Sequence, residues 1–162
     1  MNIQMRDYQS TDKAAIAEAT EKLHEYVVAL DPIKRLRKMP GYVEHTTSEL
    51  FETIEKQEGK IFVAEDDGKF IGFVAGFTMK QSEENLLSVI PSKLGVISDV
   101  YVDDAYRGQQ LGTNLMEKME AHLKDMGCDA IWIDIVAFNT TAHSFYNKLG
   151  YTDREIGLIK KI

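Results

Sequence analysis

Asp67-Gly68 lies between two runs rich in strand formers, Lys60-Ile61-Phe62-Val63-Ala64-Glu65 and Phe70 to Met79. An aspartate–glycine pair is a strong tight-turn signal, because glycine accepts positive φ without steric cost. Residues 60–79 are therefore expected to form an antiparallel hairpin, with Gly72 and Gly76 marking a bulge or a close backbone approach. From residue 94 the rhythm changes. Gly95 to Val102 reads as a strand and Gly112 to Met126 as a helix, with Leu115, Met119, Leu123 and Met126 facing a core and Gly127 stopping it. Ala130 to Ala137 reads as a strand buried on both faces, Thr141 to Leu149 as a short helix, and Glu155 to Lys161 as a last strand. A hairpin followed by strand–helix–strand implies a mixed sheet with helices packed on it, in the α/β class.

The N-terminal part fits the same layout. Residues 2–7 read as an opening strand, and Ser10-Thr11-Asp12 offers helix-capping oxygens. Ile16, Ala19, Leu23, Tyr26, Val27 and Leu30 follow at helical spacing, until Asp31-Pro32 ends the helix. Lys34 to Gly41 is a basic connector to a second helix over 43–57, with Val43, Leu50, Phe51 and Ile54 as its stripe. Residues 80–93, with Pro91, read as a loop. No composition shift divides residues 1–162, so one domain is expected.

The net charge of −7 argues against a nucleic-acid binder, whose affinity comes largely from neutralising phosphates. The densest basic cluster, Lys34, Arg35, Arg37 and Lys38, is short, and an acidic surface would instead draw cationic partners such as amines. The single cysteine, Cys128, cannot form an internal disulfide and reads as a small buried thiol. His24, His45, His122 and His143 lack metal-ligand spacing, so no metal is expected. The first residues lack a signal-peptide apolar region and no stretch approaches the ~20 apolar residues of a spanning helix. The expectation is a cytoplasmic protein with no membrane partner.

Chemistry concentrates between Val100 and Thr113, in Val100-Tyr101-Val102-Asp103-Asp104-Ala105-Tyr106-Arg107-Gly108-Gln109-Gln110-Leu111-Gly112-Thr113. A strand ends, a short loop follows, and a helix begins among glycines. A helix start presents unpaired N–H groups and a positive dipole end, which seats phosphate. The same residues also suit a plain strand-to-helix turn. They match neither a P-loop nor a dinucleotide fingerprint. They do resemble the pyrophosphate-binding motif of the GNAT superfamily of N-acetyltransferases: Arg or Gln, two residues, Gly, one residue, Gly or Ala. Arg107 and Gly112 match its ends, and Gly108 a frequent companion. Gln110 stands where the family usually has glycine, a departure that an ordinary backbone conformation with an outward side chain would accommodate. Asn139, Ala142, Phe145-Tyr146 and Lys148-Leu149-Gly150-Tyr151 resemble the family's later motif, in its order and at about its spacing.

The resemblance implies a mixed, mostly antiparallel sheet splayed at its fourth and fifth strands, with about four helices. It implies acetyl-CoA as acyl donor and transfer to a primary amine of a small molecule. A protein lysine or N-terminus as acceptor, or a non-catalytic acyl-CoA-binding module, are the alternatives. A homodimer is compatible with it. By resemblance, the Val100 and Val102 backbones pair with pantetheine, with Tyr101 packing or lining beside them. Arg107, Gly108, Gln109, Gln110, Leu111, Gly112 and Thr113 hold the pyrophosphate. Asn139 contacts the pantetheine side, an N–H near Val100 stabilises the oxyanion, and Tyr146 is the acid for the departing thiolate. Asp99 is the carboxylate on the fourth strand, open to a substrate-side or a structural role; Asp134 on the next strand is a weaker candidate. Regular alternation would put Asp99 on one face with Ile97 and Tyr101, opposite Ser98 and Val100.

Overall fold

The Asp67-Gly68 turn forms with φ of 48° and 81°, both left-handed, as a two-residue hairpin turn requires. The computed structural model describes residues 2–162. In chain order the elements are β1 (Ile3–Asp7), α1 (Lys13–Leu30), α2 (Tyr42–Lys56), β2 (Lys60–Asp66), β3 (Lys69–Met79), β4 (Leu94–Val102), α3 (Leu111–Asp125), β5 (Ala130–Trp132) and α4 (Thr140–Lys148). The strands lie in sequence order in one five-stranded sheet. The first three pairings are antiparallel and β4–β5 is parallel.

Each face of the sheet carries its own apolar cluster. Ile16 and Ala19 of α1 and Leu50 of α2 pack with Ile61, Val63, Phe73, Ala75 and Tyr101 on one face. Leu111, Leu115, Met116, Met119 and Leu123 of α3 pack with Phe62, Ile71, Val74 and Ile97 on the other. Gly76 lets α3 approach, since a Cβ there would lie 2.9 Å from the Met119 sulfur and 2.9 Å from the Val96 carbonyl oxygen. The apolar stripe read for α1 is buried only in its first half, with Tyr26 and Leu30 exposed.

β4 is not regular. Asp99 pairs with Ala75 but Ile97 pairs with Gly76, so Ser98 is an extra residue opposite the bond between them. Such a bulge bends the strand and shifts its alternation by one. Ile97, Val100 and Val102 therefore share the α3 face, while Tyr101 lies on the α1/α2 face. The expected grouping of Ile97 with Tyr101 is corrected accordingly. Asp99 follows its partner Ala75 to the α1/α2 face.

Two other expectations change. β5 ends at Trp132 rather than Ala137, and Glu155 to Lys161 forms no strand. The causes are linked. Beyond Trp132 the chain leaves β4, so residues 133–137 are only partly buried, and the tail finds no regular neighbour to pair with. Ile156, Leu158, Ile159 and Ile162 consequently stay exposed.

At the opposite sheet edge, Arg6 binds both oxygens of Asp12 at 2.7 and 2.9 Å and Glu65 at 2.8 Å, tying β1, the entry to α1 and β2 together. Asp12 is 6 % exposed. The Arg6 hydrogen bonds, with one from the Gln9 N–H, hold its carboxyl below the usual range against the cost of burial. This contribution is complete above the unfolded value near pH ~4 and is lost as pH falls through the lowered folded value. Arg6→Met should cost about 3 kcal/mol at neutral pH, because it strands a buried carboxylate. Urea unfolding should also show a shallower loss of stability on acidification than in the parent; a variant of parental stability would remove the ion cluster from the fold's supports.

Candidate active site

The parallel contact between β4 and β5 covers only Leu94–Ala130, Gly95–Ile131 and Val96–Trp132. From Ile97 onward the outer edge of β4 has no strand beside it among the described residues. The Asp103 N–H donates to the Ile71 carbonyl on β3 at 2.8 Å. Alternation then turns the backbones of Val102 and Val100 to the open edge. The Val102 carbonyl there accepts from Arg107 Nε at 3.2 Å. Tyr101 is placed elsewhere: its ring is buried under α1 and α2, and its carbonyl oxygen lies toward Gly72 on β3.

The edge leads into the start of α3. Asp103 accepts from the Ala105 N–H and opens a short turn over Asp104–Tyr106. Arg107 is extended, Gly108 has φ of 76°, and Gln110 has φ of 63° immediately before the helix. The expectation of an ordinary backbone at Gln110 is thus corrected: glutamine occupies the left-handed conformation that glycine usually supplies, at a local cost in strain. The N–H groups of Leu111, Gly112 and Thr113 have no partner among the described residues, no side chain caps the helix, and its first turn holds no acid. That leaves the positive dipole end free for an anion. Arg107 is half-exposed and pairs with Asp104 at 2.7 Å. Gln109 donates to the Ala105 carbonyl at 3.1 Å. Leu111 contributes only backbone here, its side chain being core. A Cβ at Gly112 would meet Phe145 at 3.4 Å, so this glycine also sets how closely α4 packs on α3.

α4 supplies the third wall. Asn139 caps it by accepting from the Ala142 N–H at 3.2 Å, a structural duty beyond the one expected of it, which leaves its amide NH₂ uncommitted. Tyr146 lies in its last turn, tilted against Phe145 and edge-on to Tyr151. Its hydroxyl makes no hydrogen bond among the described residues, and burial, reinforced by the negative charge of Asp99, pushes the phenol up to about 12. Asp99 is thus near enough to act electrostatically on Tyr146, although the two come from different layers. Desolvation raises the Asp99 carboxyl above the usual carboxylate range, tempered by the Ser98 hydroxyl. Tyr151 donates to Glu120 on α3 at 2.8 Å and anchors the far end of α4. Asp134 is exposed and Cys128 packs at the core's margin.

An open strand edge leads into an uncapped helix start, and a half-buried phenol on α4 lies within electrostatic reach of a carboxylate on β4. A family model described as the acetyltransferase (GNAT) family matches residues 27–151, more than half of the chain. The chain belongs to the acetyltransferase (GNAT) family. An uncharacterised N-acetyltransferase of Methanocaldococcus jannaschii is 30% identical over 104 residues, 64% of this chain and 43% of that protein. Glucosamine 6-phosphate N-acetyltransferase of Arabidopsis thaliana is 38% identical over 68 residues, 42% of this chain and 44% of that protein. The chain therefore spans less than half the length of these two relatives. A solved structure of a mutant protein from Bacillus halodurans matches with a TM-score of 0.85 at 21% identity, covering 98% of this chain and 99% of that one, which shows the fold. Asp99, the 107–113 loop, Asn139 and Tyr146 all fall inside the family match, and the tail beyond Tyr151 falls outside it.

Two features of this candidate site escaped sequence reading. The Ser98 bulge was signalled only by a polar pair interrupting the run from Val96 to Val102. The Glu120–Tyr151 bond joins residues with no shared motif. The backbone geometry is directly testable. Gly108→Ala should cost about 1 kcal/mol from strain alone, since its Cβ would meet nothing within 4 Å. Gln110→Gly should be neutral or stabilising by up to ~1 kcal/mol, with relief of strain offset by the looser unfolded chain. Denaturant unfolding compares them; a strongly destabilised Gln110→Gly would mean the loop is not left-handed there.

Proposed function

We propose that this chain is an acetyl-CoA-dependent N-acetyltransferase that acetylates the primary amine of a small molecule. The observation that carries this reading is the open β4 edge at Val100 and Val102 running directly into the unsatisfied N–H groups of Leu111–Thr113. An extended amide-bearing arm followed by a pyrophosphate matches both parts in order, and the absence of an acid in the first turn of α3 suits that charge. Acetyl-CoA supplies the acyl group already activated as a thioester. The remaining work falls to the protein.

Val100 and Val102 align the arm by strand-like hydrogen bonds, holding the reacting groups together. The Val100 N–H is positioned to meet charge developing on the carbonyl oxygen. Asp99, made more basic by desolvation, receives the proton that the amine loses as its new bond to carbon forms. Tyr146 gives its phenolic proton to the sulfur as the carbon–sulfur bond breaks. A phenol near 12 is a reluctant donor, but part of that elevation is the Asp99 charge. Once Asp99 has taken a proton, the charge disappears and Tyr146 becomes the stronger acid that the next step needs. The two groups thus work in the required order.

A panel of primary amines assayed for CoA thiol release should give turnover that rises from pH 6 toward pH 9, since only the neutral amine is nucleophilic. Acetylation confined to hydroxyl acceptors, or none with any amine, would sink the reading. Tyr146→Phe should lower kcat by roughly 10²–10⁴-fold while acetyl-CoA affinity stays unchanged. A variant within about threefold of the parent, with chemistry rate-limiting, would transfer the acid role to water.

A further inference from the structure

Lys34, Arg35 and Arg37 from the α1–α2 connector and Lys161 from the tail line one depression of about 420 Å³, together with Ile33. No acid lines it. None of the four cations has an ion-pair partner among the described residues, whereas neighbouring Lys38 takes both nearby α1 carboxylates, Glu21 and Glu25. Four like charges therefore gather in one place, offset only by the buried Asp31 carboxylate acting on Lys34, in a chain whose net charge is −7.

The connector that carries three of them is built, not loose. Asp31 is 1 % exposed, enclosed by the connector rather than by the core. Its carboxylate accepts from the N–H groups of Ile33, Arg35 and Leu36 at 3.0, 2.6 and 2.7 Å. Lys34 is held at φ of 53°, a left-handed conformation unfavourable for a side-chain-bearing residue. The Arg37 carbonyl bonds His24 Nε2 at 2.9 Å, and His24 stacks on Tyr42. Both ends of the basic run are thus pinned, at the expense of strain and charge repulsion.

The elements that carry the depression can be traced toward the reactive side of the molecule. α1 starts beside β1, where Asp12 meets Arg6, and reaches β4 by Lys22, whose charge acts on Tyr101. From Lys13 to Lys22 the helix advances roughly 13 Å, close to the ~14 Å separating β1 from β4. Leu30 is roughly 12 Å further along the helix than Lys22. The tail bearing Lys161 leaves α4 just beyond Tyr146 and Tyr151. Both walls extend elements that frame Asp99 and Tyr146.

We infer that the Lys34–Arg35–Arg37–Lys161 depression is an anion site that receives a phosphate or carboxylate group of the acceptor amine. The link to the acceptor rests on the acetyltransferase reading. Planar guanidinium groups suit either anion, since each oxygen pair can take two parallel hydrogen bonds. The substrate is then a small amine carrying its own negative charge, not the polycation that the chain's overall acidity would draw.

The test follows backbone amide resonances of the protein saturated with CoA, while O-phosphoethanolamine, β-alanine and ethanolamine are titrated separately. Saturating CoA occupies the 107–113 loop, and its own shifts there report on the cofactor reading independently. The phosphate-bearing amine, the carboxylate-bearing amine or both should shift amides of Lys34–Lys38 and Lys161, and ethanolamine should not. Which anionic probe does so separates phosphate from carboxylate. The double substitution R35E/R37E should weaken that response at least tenfold, and Lys161→Glu, placed in the exposed tail where folding is not at stake, should weaken it too. No response at these amides, an equal response to ethanolamine, or affinity unchanged in both variants would overturn the anion site. If CoA leaves 107–113 unshifted, the acetyltransferase reading fails by itself and the anion site is still judged at its own resonances.

Discussion

After Val96 and Trp132, β4 and β5 stop sharing hydrogen bonds, and the geometry of the site depends on that separation. The Ser98 bulge lies just past the last shared pair, where its bend turns β4 away from its neighbour. A continuous sheet would have used the outward N–H and C=O groups of Val100 and Val102 for its own ladder. Separation leaves them available, opens a path from one layer to the other, and lets a carboxylate on the α1/α2 face act on a phenol carried by α4.

The pieces around the opening are held by contacts that do not themselves belong to it. Tyr151 anchors α4 on α3 through Glu120, and Gly112 sets how closely the two helices meet at Phe145. The helix start that faces the opening and the tyrosine that overhangs it are therefore positioned by one packed unit. On the other layer, the Arg6 cluster secures where α1 begins. The direction of α1 then decides where its connector and the basic residues on it come to lie. Placement of the charged groups follows from helix packing set at some distance from them.

The hairpin, the three long helices and the strand-to-helix motif were legible in the sequence because each has a local cause. Asp67-Gly68 makes its turn from two residues, Asp31-Pro32 ends α1, and Gly127, at φ of 83°, closes α3. Arg107 to Thr113 was recognisable as a whole. Features that depend on partners were not. Ala130 to Ala137 has the composition of a buried strand, yet a strand needs a neighbour, and β4 supplies one for only three residues. Glu155 to Lys161 failed as a strand for the same reason. Gln110 carried no local sign that it would adopt the conformation of the glycine it replaces. The four basic residues were visible in part, as a short cluster, but Lys161 joins Lys34 only through the fold.

The extra residue in β4 also governs how this strand tolerates length change. Ile97 and Asp99 already lie on opposite faces, so deleting Ser98 would restore regular pairing and leave every other side chain in its present layer. Keeping Ser98 while ironing out the bulge would instead turn over everything on one side of it, and a carboxylate or a bulky core residue would end in the wrong layer. The core is therefore indifferent to the loss of this residue, whereas the local bend just past the last pair shared with β5 would go with it.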